Sequence, residues 1–244
     1  MNVVGIVAAL AAEARALGPT KSRFETPTFL ADGTLLTVSG MGFAAAAQAT
    51  RALLEAGVTA LASWGMAGGL DPGLHAGTIF LPSDVVSAAG ADFPTASHWR
   101  ERLAAALAAQ RPISRGKLLS SPHALGTVAD KTAAFAATGA LAVDMESLAI
   151  AQIAASQGVP FIAVRVIVDT AQDSLPRAVM AASRAGEIEL WRMIRALALA
   201  PAEFSALIRL AQRYRAARRS LAAVAHAGSI AQFAFPDPSD AGVS

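Results

Sequence analysis

Short apolar runs alternate with alanine-rich helical patterns along most of the chain. Runs with the composition of buried strands lie at residues 2–8, 58–64, 78–82, 84–88, 116–120 and 159–168. Patterns typical of helices cover residues 10–17, 43–57, 98–110, 145–157, 184–198 and 202–225. Residues 27–38 predict a hairpin that turns at Asp32-Gly33, because Asp-Gly suits a tight turn. The alternation predicts an α/β fold with a largely covered central sheet.

Pro201 ends this alternation and divides the chain. We expect one domain over residues 1–200. A C-terminal amphipathic helix and a turn-rich, frayed tail would follow over residues 201–244.

The chain contains few charged residues: they make up 16% of it, compared with roughly 25% in typical soluble domains. Hydrophobic residues make up 54% of the chain. Three explanations stay open: a well-buried fold with a large oligomer face, a lipid-related role, or a bias towards alanine. The net charge of +2 is too small to create a strong positive potential that would attract nucleic acid, so we expect no nucleic-acid partner. Five arginines nevertheless fall between residues 209 and 219.

Several classes of protein are disfavoured by what the sequence lacks. Cysteine is absent, which excludes disulfides and thiolate metal sites and fits a reducing compartment. The apolar N-terminal run is interrupted by Glu13 and Arg15, which predicts a strand and a helix rather than a signal peptide. No run of about 18 uncharged apolar residues predicts a transmembrane helix, so we expect a cytoplasmic protein. The histidines show no metal-ligand spacing and no G-x-S-x-G turn occurs, so we expect neither a metal site nor serine-hydrolase chemistry.

Two stretches at predicted strand ends could carry chemistry. The segment "SWGMAGGLDPGLHAG", residues 63–77, predicts a glycine-rich loop in which Gly68 and its neighbours let the backbone approach a ligand. Asp169 follows the strand at 159–168, where ligand sites of open α/β sheets cluster. Its carboxyl group could hold a proton if burial raises its pKa, or it could simply cap a helix.

The third stretch is "AVDMES", residues 142–147. Glu146 falls in the first turn of the predicted helix, where the helix dipole alone would favour an acid. A carboxylate facing a cleft could instead accept hydrogen bonds from a vicinal diol such as that of ribose. Met145 would then pack against a sugar or a base.

Together these stretches resemble one family. The segments "GIVAALAAEA", "SGMG", "SWGMAGGL" with "AGTIFLPSD", "AVDMES" and "VRVIVD" occur in the order seen in the purine nucleoside phosphorylase and nucleosidase superfamily. The resemblance covers about residues 3–198, and "VDMES" between "AGGL" and "RVIVD" is its most specific part. It implies a single-domain, three-layer αβα sandwich around a twisted mixed sheet. It also implies an enzyme that cleaves the N-glycosidic bond of a purine nucleoside with phosphate or water and no further cofactor.

The resemblance implies roles for the residues that match its motifs. Glu146 matches the glutamate that holds ribose O2′ and O3′, and Met145 matches the methionine against the sugar. Asp169 matches the general acid that protonates N7 of the leaving purine. Glu13 matches the glutamate that activates water in the nucleosidase branch, and Arg165 matches an arginine at the nucleophile site.

Two positions depart from the family pattern. Asp144 stands where a glutamate is usual, and Met66 stands where a serine or threonine usually touches the nucleophile. A methionine side chain has no hydrogen to donate to phosphate, which weakens a phosphate site. Arg15, Arg51 and Arg165 stay candidate partners for an anion, so the nucleophile remains open between phosphate and water.

A narrower similarity concerns the substrate. The segments "WGMAGGLDP", "AVDMES" and "VDTAQDSLPRA" are similar to the hopanoid-associated phosphorylase branch, whose members are associated with removing adenine from adenosylhopane. The apolar composition and the many alanines fit a bulky 5′ group. The helix at 201–225 could contact an anionic membrane surface as a peripheral anchor, cover the path of a lipid, or dock on the domain or a sister subunit. Its arginines do not fall on one face, which weighs against a strict membrane helix.

We therefore expect release of adenine from a 5′-substituted adenine nucleoside, with adenosylhopane as the implied substrate. A homodimer is expected, because in the family a partner subunit often completes the 5′ pocket. A methylthioadenosine or adenosylhomocysteine nucleosidase is the alternative enzyme. A nucleoside-binding protein without turnover, suggested by Met66 and Asp144, is the alternative outside enzymes.

Overall fold

The computed structural model describes residues 2–18, 26–108, 112–175 and 204–227, with side chains in the last segment from residue 208 onwards. The helix predicted over 184–198, the boundary at Pro201 and the predicted tail lie outside the described residues.

The secondary structure follows the predicted alternation. The strands are β1 Val4–Ala8, β2 Thr28–Phe29, β3 Leu35–Val38, β4 Ala60–Gly69, β5 Ile79–Phe80, β6 Asp84–Val86, β7 Asp92–Pro94, β8 Ile113–Ser114, β9 Lys117–Ser120, β10 Ala142–Asp144 and β11 Phe161–Asp169. The helices are α1 Ala11–Ala14, α2 Phe43–Glu55, α3 Ser97–Leu107, α4 Val128–Thr138, α5 Ser147–Gln157 and α6 Phe204–His226. A 3-10 turn over Arg15–Leu17 completes the helix predicted over 10–17. The predicted hairpin forms, with Gly33 at a φ of 82° in its turn.

The strands form one mixed sheet in the order β2-β3-β1-β4-β10-β9-β6-β7, while β11 pairs with β4 and β5, and β8 pairs with β5. β4 is its centre, because it runs parallel to β1 and β11 and pairs antiparallel with β10 at its far end. The carboxyl ends of the parallel strands β1, β3, β4 and β11 therefore meet at one edge, the edge where sites form in open α/β sheets.

Helices cover both faces of this sheet. Along β4 and β11, successive side chains point to opposite faces, so Trp64 and Val164 face one core cluster while Leu61 and Ala163 face the other. α1, α3 and α6 pack on the first face, and α2 and α5 on the second. The expected three-layer αβα sandwich is confirmed.

The C-terminal helix is part of this core. Ala217, Leu221 and Val224 of α6 are fully buried in the cluster that contains Val164. Docking on the domain, one of the alternatives left open for this helix, therefore accounts for its apolar positions. Among the described residues, none of the helices combines the length and hydropathy needed to cross a membrane.

The local structure differs from the sequence analysis at one predicted loop and at one helix that was not predicted. Residues 65–69 are not a loop, because β11 and β10 supply hydrogen-bonding partners on both sides and extend β4 to Gly69. This pairing overrides the low strand preference of glycine. No helix was predicted over α4, although Thr127 caps it by accepting the N–H of Asp130 at 3.1 Å and Gly139 ends it at a φ of 64°.

Candidate active site

A pocket of about 600 Å³ lies at the carboxyl ends of the central strands, with α6 forming part of its wall. It is lined by every predicted site residue except Arg165, namely Glu13, Met66, Gly68, Asp144, Met145, Glu146 and Asp169. The fold thus brings together residues that are up to 156 positions apart in the printed sequence, since Glu13 on α1, which follows β1, and Asp169 at the end of β11 line the same cavity.

Glu146 is the N-cap of α5 rather than a residue of its first turn, because the helix begins at Ser147 and not at residue 145. Its Oε1 accepts the N–H of Gly42 at 2.9 Å, and its Oε2 accepts the N–H of Met145 at 3.3 Å. Gly42 has a φ of 93°, which favours glycine and gives the "SGMG" segment a definite place in the site. Burial, and then the negative charge of Asp144, raises the pKa of Glu146 to about 7.

Asp144 and Arg165 form a buried ion pair beneath the pocket. Asp144 Oδ2 accepts from Nε of Arg165 at 2.9 Å and from Nη2 at 2.6 Å. Nη2 also donates to the hydroxyl groups of Ser63 and Ser147, and Asp144 Oδ1 accepts from Ser120 at 2.7 Å. Arg165 does not line the pocket itself: its Nε and Nη2 groups hold Asp144 and the start of α5, while its Nη1 group lies beside Gly65, next to Glu13.

Glu13 is fixed by the backbone on two sides. Its Oε2 accepts the N–H of Leu10 at 3.0 Å, and its Oε1 accepts the N–H of Met66 at 2.9 Å. The indole of Trp64 donates to the carbonyl oxygen of Glu13 at 3.0 Å and holds α1 in place. Burial raises the pKa of Glu13, and the positive charge of Arg165 opposes this.

Gly65 explains how Glu13 and Arg165 approach each other. A Cβ atom at this position would lie 2.7 Å from Oε1 of Glu13 and 2.9 Å from Nη1 of Arg165. Both side chains occupy the space that any larger residue would need. The glycine is required here for room rather than for an unusual φ.

The arginines considered as anion partners do not converge. Arg51 is exposed on α2, and Arg15 is exposed and lines a different cavity beside the 3-10 turn. Arg215 and Arg218 of α6 do line the pocket, with exposed side chains. Sequence reasoning did not single out these two positions for the site, because nothing in the chain indicated where α6 docks.

Asp169 is the last residue of β11 rather than the residue after it. The pairing of β11 with β4 shifts by one residue between Ile167 and Asp169, which places Asp169 beside Gly68. A Cβ atom at Gly68 would lie 3.2 Å from Oδ2 of Asp169. The absence of a side chain at Gly68 therefore leaves room for the carboxyl group of Asp169.

Lys131 is the main residue that the sequence did not reveal. It lies on α4, is fully buried, and forms an ion pair with Oδ2 of Asp169. Burial raises the pKa of Asp169, while the charge of Lys131 and its hydrogen bond oppose that effect. The capping pattern of Thr127 and Asp130 could have predicted the helix, but not the contact of its lysine with a strand 38 residues later.

Comparison with known proteins agrees with this geometry. The phosphorylase superfamily matches residues 4–198. The chain belongs to the phosphorylase superfamily. The family expected from the motifs is thereby confirmed.

Solved structures share the fold at low sequence identity. A putative methylthioadenosine nucleosidase from Weissella paramesenteroides is 22% identical, with a TM-score of 0.61 over 80% of this chain and 97% of that chain. A mutant of the Helicobacter pylori enzyme MTAN with 5′-methylthioadenosine in its active site is 17% identical, with a TM-score of 0.65 over 84% of this chain and 100% of that chain. Futalosine hydrolase of Helicobacter pylori is 18% identical, with a TM-score of 0.64 over 80% and 97%. No curated protein sequence matches the chain.

Proposed function

We propose that the protein hydrolyses the N-glycosidic bond of a 5′-substituted adenine nucleoside, with adenosylhopane as its substrate. The observation that carries the proposal is the convergence of Glu13, Glu146 and Asp169 on one pocket. The three carboxyl groups come from α1, the N-cap of α5 and the end of β11, so they can act on different parts of one bound nucleoside.

Each carboxyl group has a role that fits its surroundings. Glu146 accepts hydrogen bonds from O2′ and O3′ of the ribose. Glu13 takes a proton from water as the water oxygen bonds to C1′. The electrons of the C1′–N9 bond pass to the purine, and Asp169 gives its proton to N7. Because burial raises the pKa of Asp169, this carboxyl group is suited to carrying that proton.

Water is favoured over phosphate by the charges at the floor of the pocket. The N–H of Met66 is already donated to Glu13, and the Nε and Nη2 groups of Arg165 are donated to Asp144 and two serines. A phosphate dianion placed beside Glu13 would lie against its carboxyl group, and like charges repel strongly in a buried site.

The 5′ end of the nucleoside is assigned to the wall formed by α6. Leu210, Ala211 and Tyr214 line the pocket together with Leu125 and Leu175. The leucine, alanine and tyrosine side chains offer apolar surface within the pocket, and burying an apolar 5′ substituent on it would contribute about 25 cal/mol per Å². This supports a large apolar substituent.

The alternative substrate is methylthioadenosine or adenosylhomocysteine. A solved structure that shares this fold has 5′-methylthioadenosine in its active site, and this is the observation that favours the alternative. Rates of adenine release from adenosylhopane, methylthioadenosine and adenosylhomocysteine distinguish them. A kcat/KM that is highest for the small thioethers would reject the hopanoid proposal, and tight binding without adenine release would support a binding protein instead.

We further propose that the enzyme is a homodimer that contacts the membrane peripherally through the exposed arginines of α6. Arg209 and Arg219 are exposed outside the pocket, and basic side chains near an anionic surface each contribute about 1 kcal/mol. Because α6 is part of the core, the test is the double substitution to glutamine rather than a deletion. Co-sedimentation with vesicles of anionic phospholipid should fall in the variant, and unchanged binding would reject this contact.

A further inference from the structure

The most unusual buried group outside the predicted site is Lys131. It is the one side chain of α4 that is buried, while the rest of the helix is partly or fully exposed. Helices normally dock through apolar side chains, because burying a charge is unfavourable unless it is paired. The position of Lys131 therefore calls for an explanation beyond packing.

The ammonium group of Lys131 has an acceptor for each of its three hydrogens. It pairs with Oδ2 of Asp169, and it donates to the carbonyl oxygens of Thr170 at 2.8 Å and Asp173 at 3.0 Å. All three acceptors belong to the end of β11 and the turn that follows. The lysine thus fixes the carboxyl group of Asp169 and the backbone behind it at the same time.

We propose that Lys131 is a positioning residue for Asp169, holding its carboxyl group at the pocket wall and stabilising the carboxylate that remains once the proton has moved to the purine. The proposal rests on the function of Asp169 as the acid. In the step concerned, the O–H bond of Asp169 breaks and an N–H bond forms at N7. The negative charge left on Asp169 then lies against the positive charge of Lys131.

The balance of charges around Asp169 gives the direction of the effect. Burial raises its pKa, whereas Lys131 from α4, the backbone N–H of Asp169 itself and Arg213 from α6 lower it. Arg213 forms an ion pair with Asp173, whose Oδ2 accepts the N–H and the hydroxyl of Thr170. Without Lys131, burial acts with less opposition, and Asp169 becomes a weaker acid that keeps its proton to higher pH.

The test is the pH dependence of kcat for adenine release in K131M, K131R and K117M. Lys117 is an exposed lysine paired with Asp92, so K117M is the matched control and should behave as the wild type. K131M should lower kcat about 10- to 100-fold, part of the 10²- to 10⁴-fold contribution of a general acid. In K131M, the alkaline limb of the curve of kcat against pH should move to higher pH by about one unit or more. K131R keeps the charge, so its alkaline limb should stay near that of the wild type.

A folded K131M with reduced kcat and an unmoved alkaline limb would overturn the proposal and leave Lys131 a purely structural role. If K131M does not fold, K131Q removes the charge while keeping a hydrogen-bond donor, and the same comparison with K131R decides. D169N separates this proposal from the proposed function. Full activity in D169N would reject the acid itself, whereas an inactive D169N with an unmoved limb in K131M and K131Q would reject only the role of Lys131.

Discussion

Oε1 of Glu13 accepts the backbone N–H of Met66 at 2.9 Å, which binds the proposed base to the centre of the sheet. The methionine that departs from the family pattern contributes through its backbone, whatever its side chain does. In this position Glu13 has its charge partly compensated by two N–H groups and still borders the pocket.

Replacing Glu13 by glutamine tests its role as the base. E13Q keeps the size of the side chain and should lower kcat for adenine release about 10²- to 10⁴-fold, because no group then accepts the proton of the attacking water. KM should change little, since Glu13 is not assigned a contact with the nucleoside. E101Q, at an exposed position of α3, is the control. A kcat of E13Q within threefold of the wild type would exclude Glu13 as the base.

The raised pKa of Glu146 should make the difference in stability between E146Q and the wild type depend on pH. Burial raises its pKa from 4.5 to about 7, so the folded state binds its proton more tightly than the unfolded state does. This stabilises the folded protein fully below about pH 4.5, and the contribution is lost as the pH rises through about 7. E146Q removes this titration. Its free energy of unfolding relative to the wild type should rise by on the order of 3 kcal/mol between these pH values.

Urea unfolding of E146Q and wild type at several pH values measures this difference. Parallel curves for the two proteins would show that Glu146 does not titrate in this range. The same variant should bind the nucleoside more weakly, because a carboxylate offers two charged acceptor oxygens to the ribose hydroxyls and an amide offers one uncharged oxygen.

Adding one methyl group at Gly65 should strongly affect both stability and activity. In G65A the new Cβ would lie within 3 Å of both Glu13 and Arg165, so at least one of these side chains must move. We expect a loss of about 1–3 kcal/mol in stability, as in other overpacked cores, together with a large fall in kcat. G73A is the control, because its Cβ would meet its nearest neighbour at 3.4 Å. Wild-type activity in G65A would contradict the close approach of the two side chains.

The two faces of α6 should respond differently to substitution. L221A removes a fully buried side chain and should cost about 2–5 kcal/mol in the free energy of unfolding. Y214A should instead lower kcat/KM for a nucleoside with a large apolar 5′ group by about 10-fold or more, with little change for adenosine. Q212A, at an exposed position, is the control for both. Equal losses for both substrates in Y214A would remove α6 from the 5′ pocket.

The sequence predicted the framework of the site well, for physical reasons that individual residues show. The strand-end position of Asp169 indicated the carboxyl edge of the parallel strands, and the resemblance to the family brought in Glu13 and Glu146, which line the same pocket. The extension of β4 through its glycines could not be predicted, since it depends on pairing with β10 and β11. The commitment of Arg165 to Asp144 and the burial of Lys131 likewise arise from contacts between distant segments, which local patterns do not record.

The most direct test of the proposed hydrolysis is adenine release from adenosylhopane and from methylthioadenosine, each with and without phosphate, with D169N as the control. We expect release from adenosylhopane at the same rate with and without phosphate, with a free ribose derivative as the product. Release that requires phosphate and yields a sugar phosphate would contradict hydrolysis and the role of Glu13 as the base.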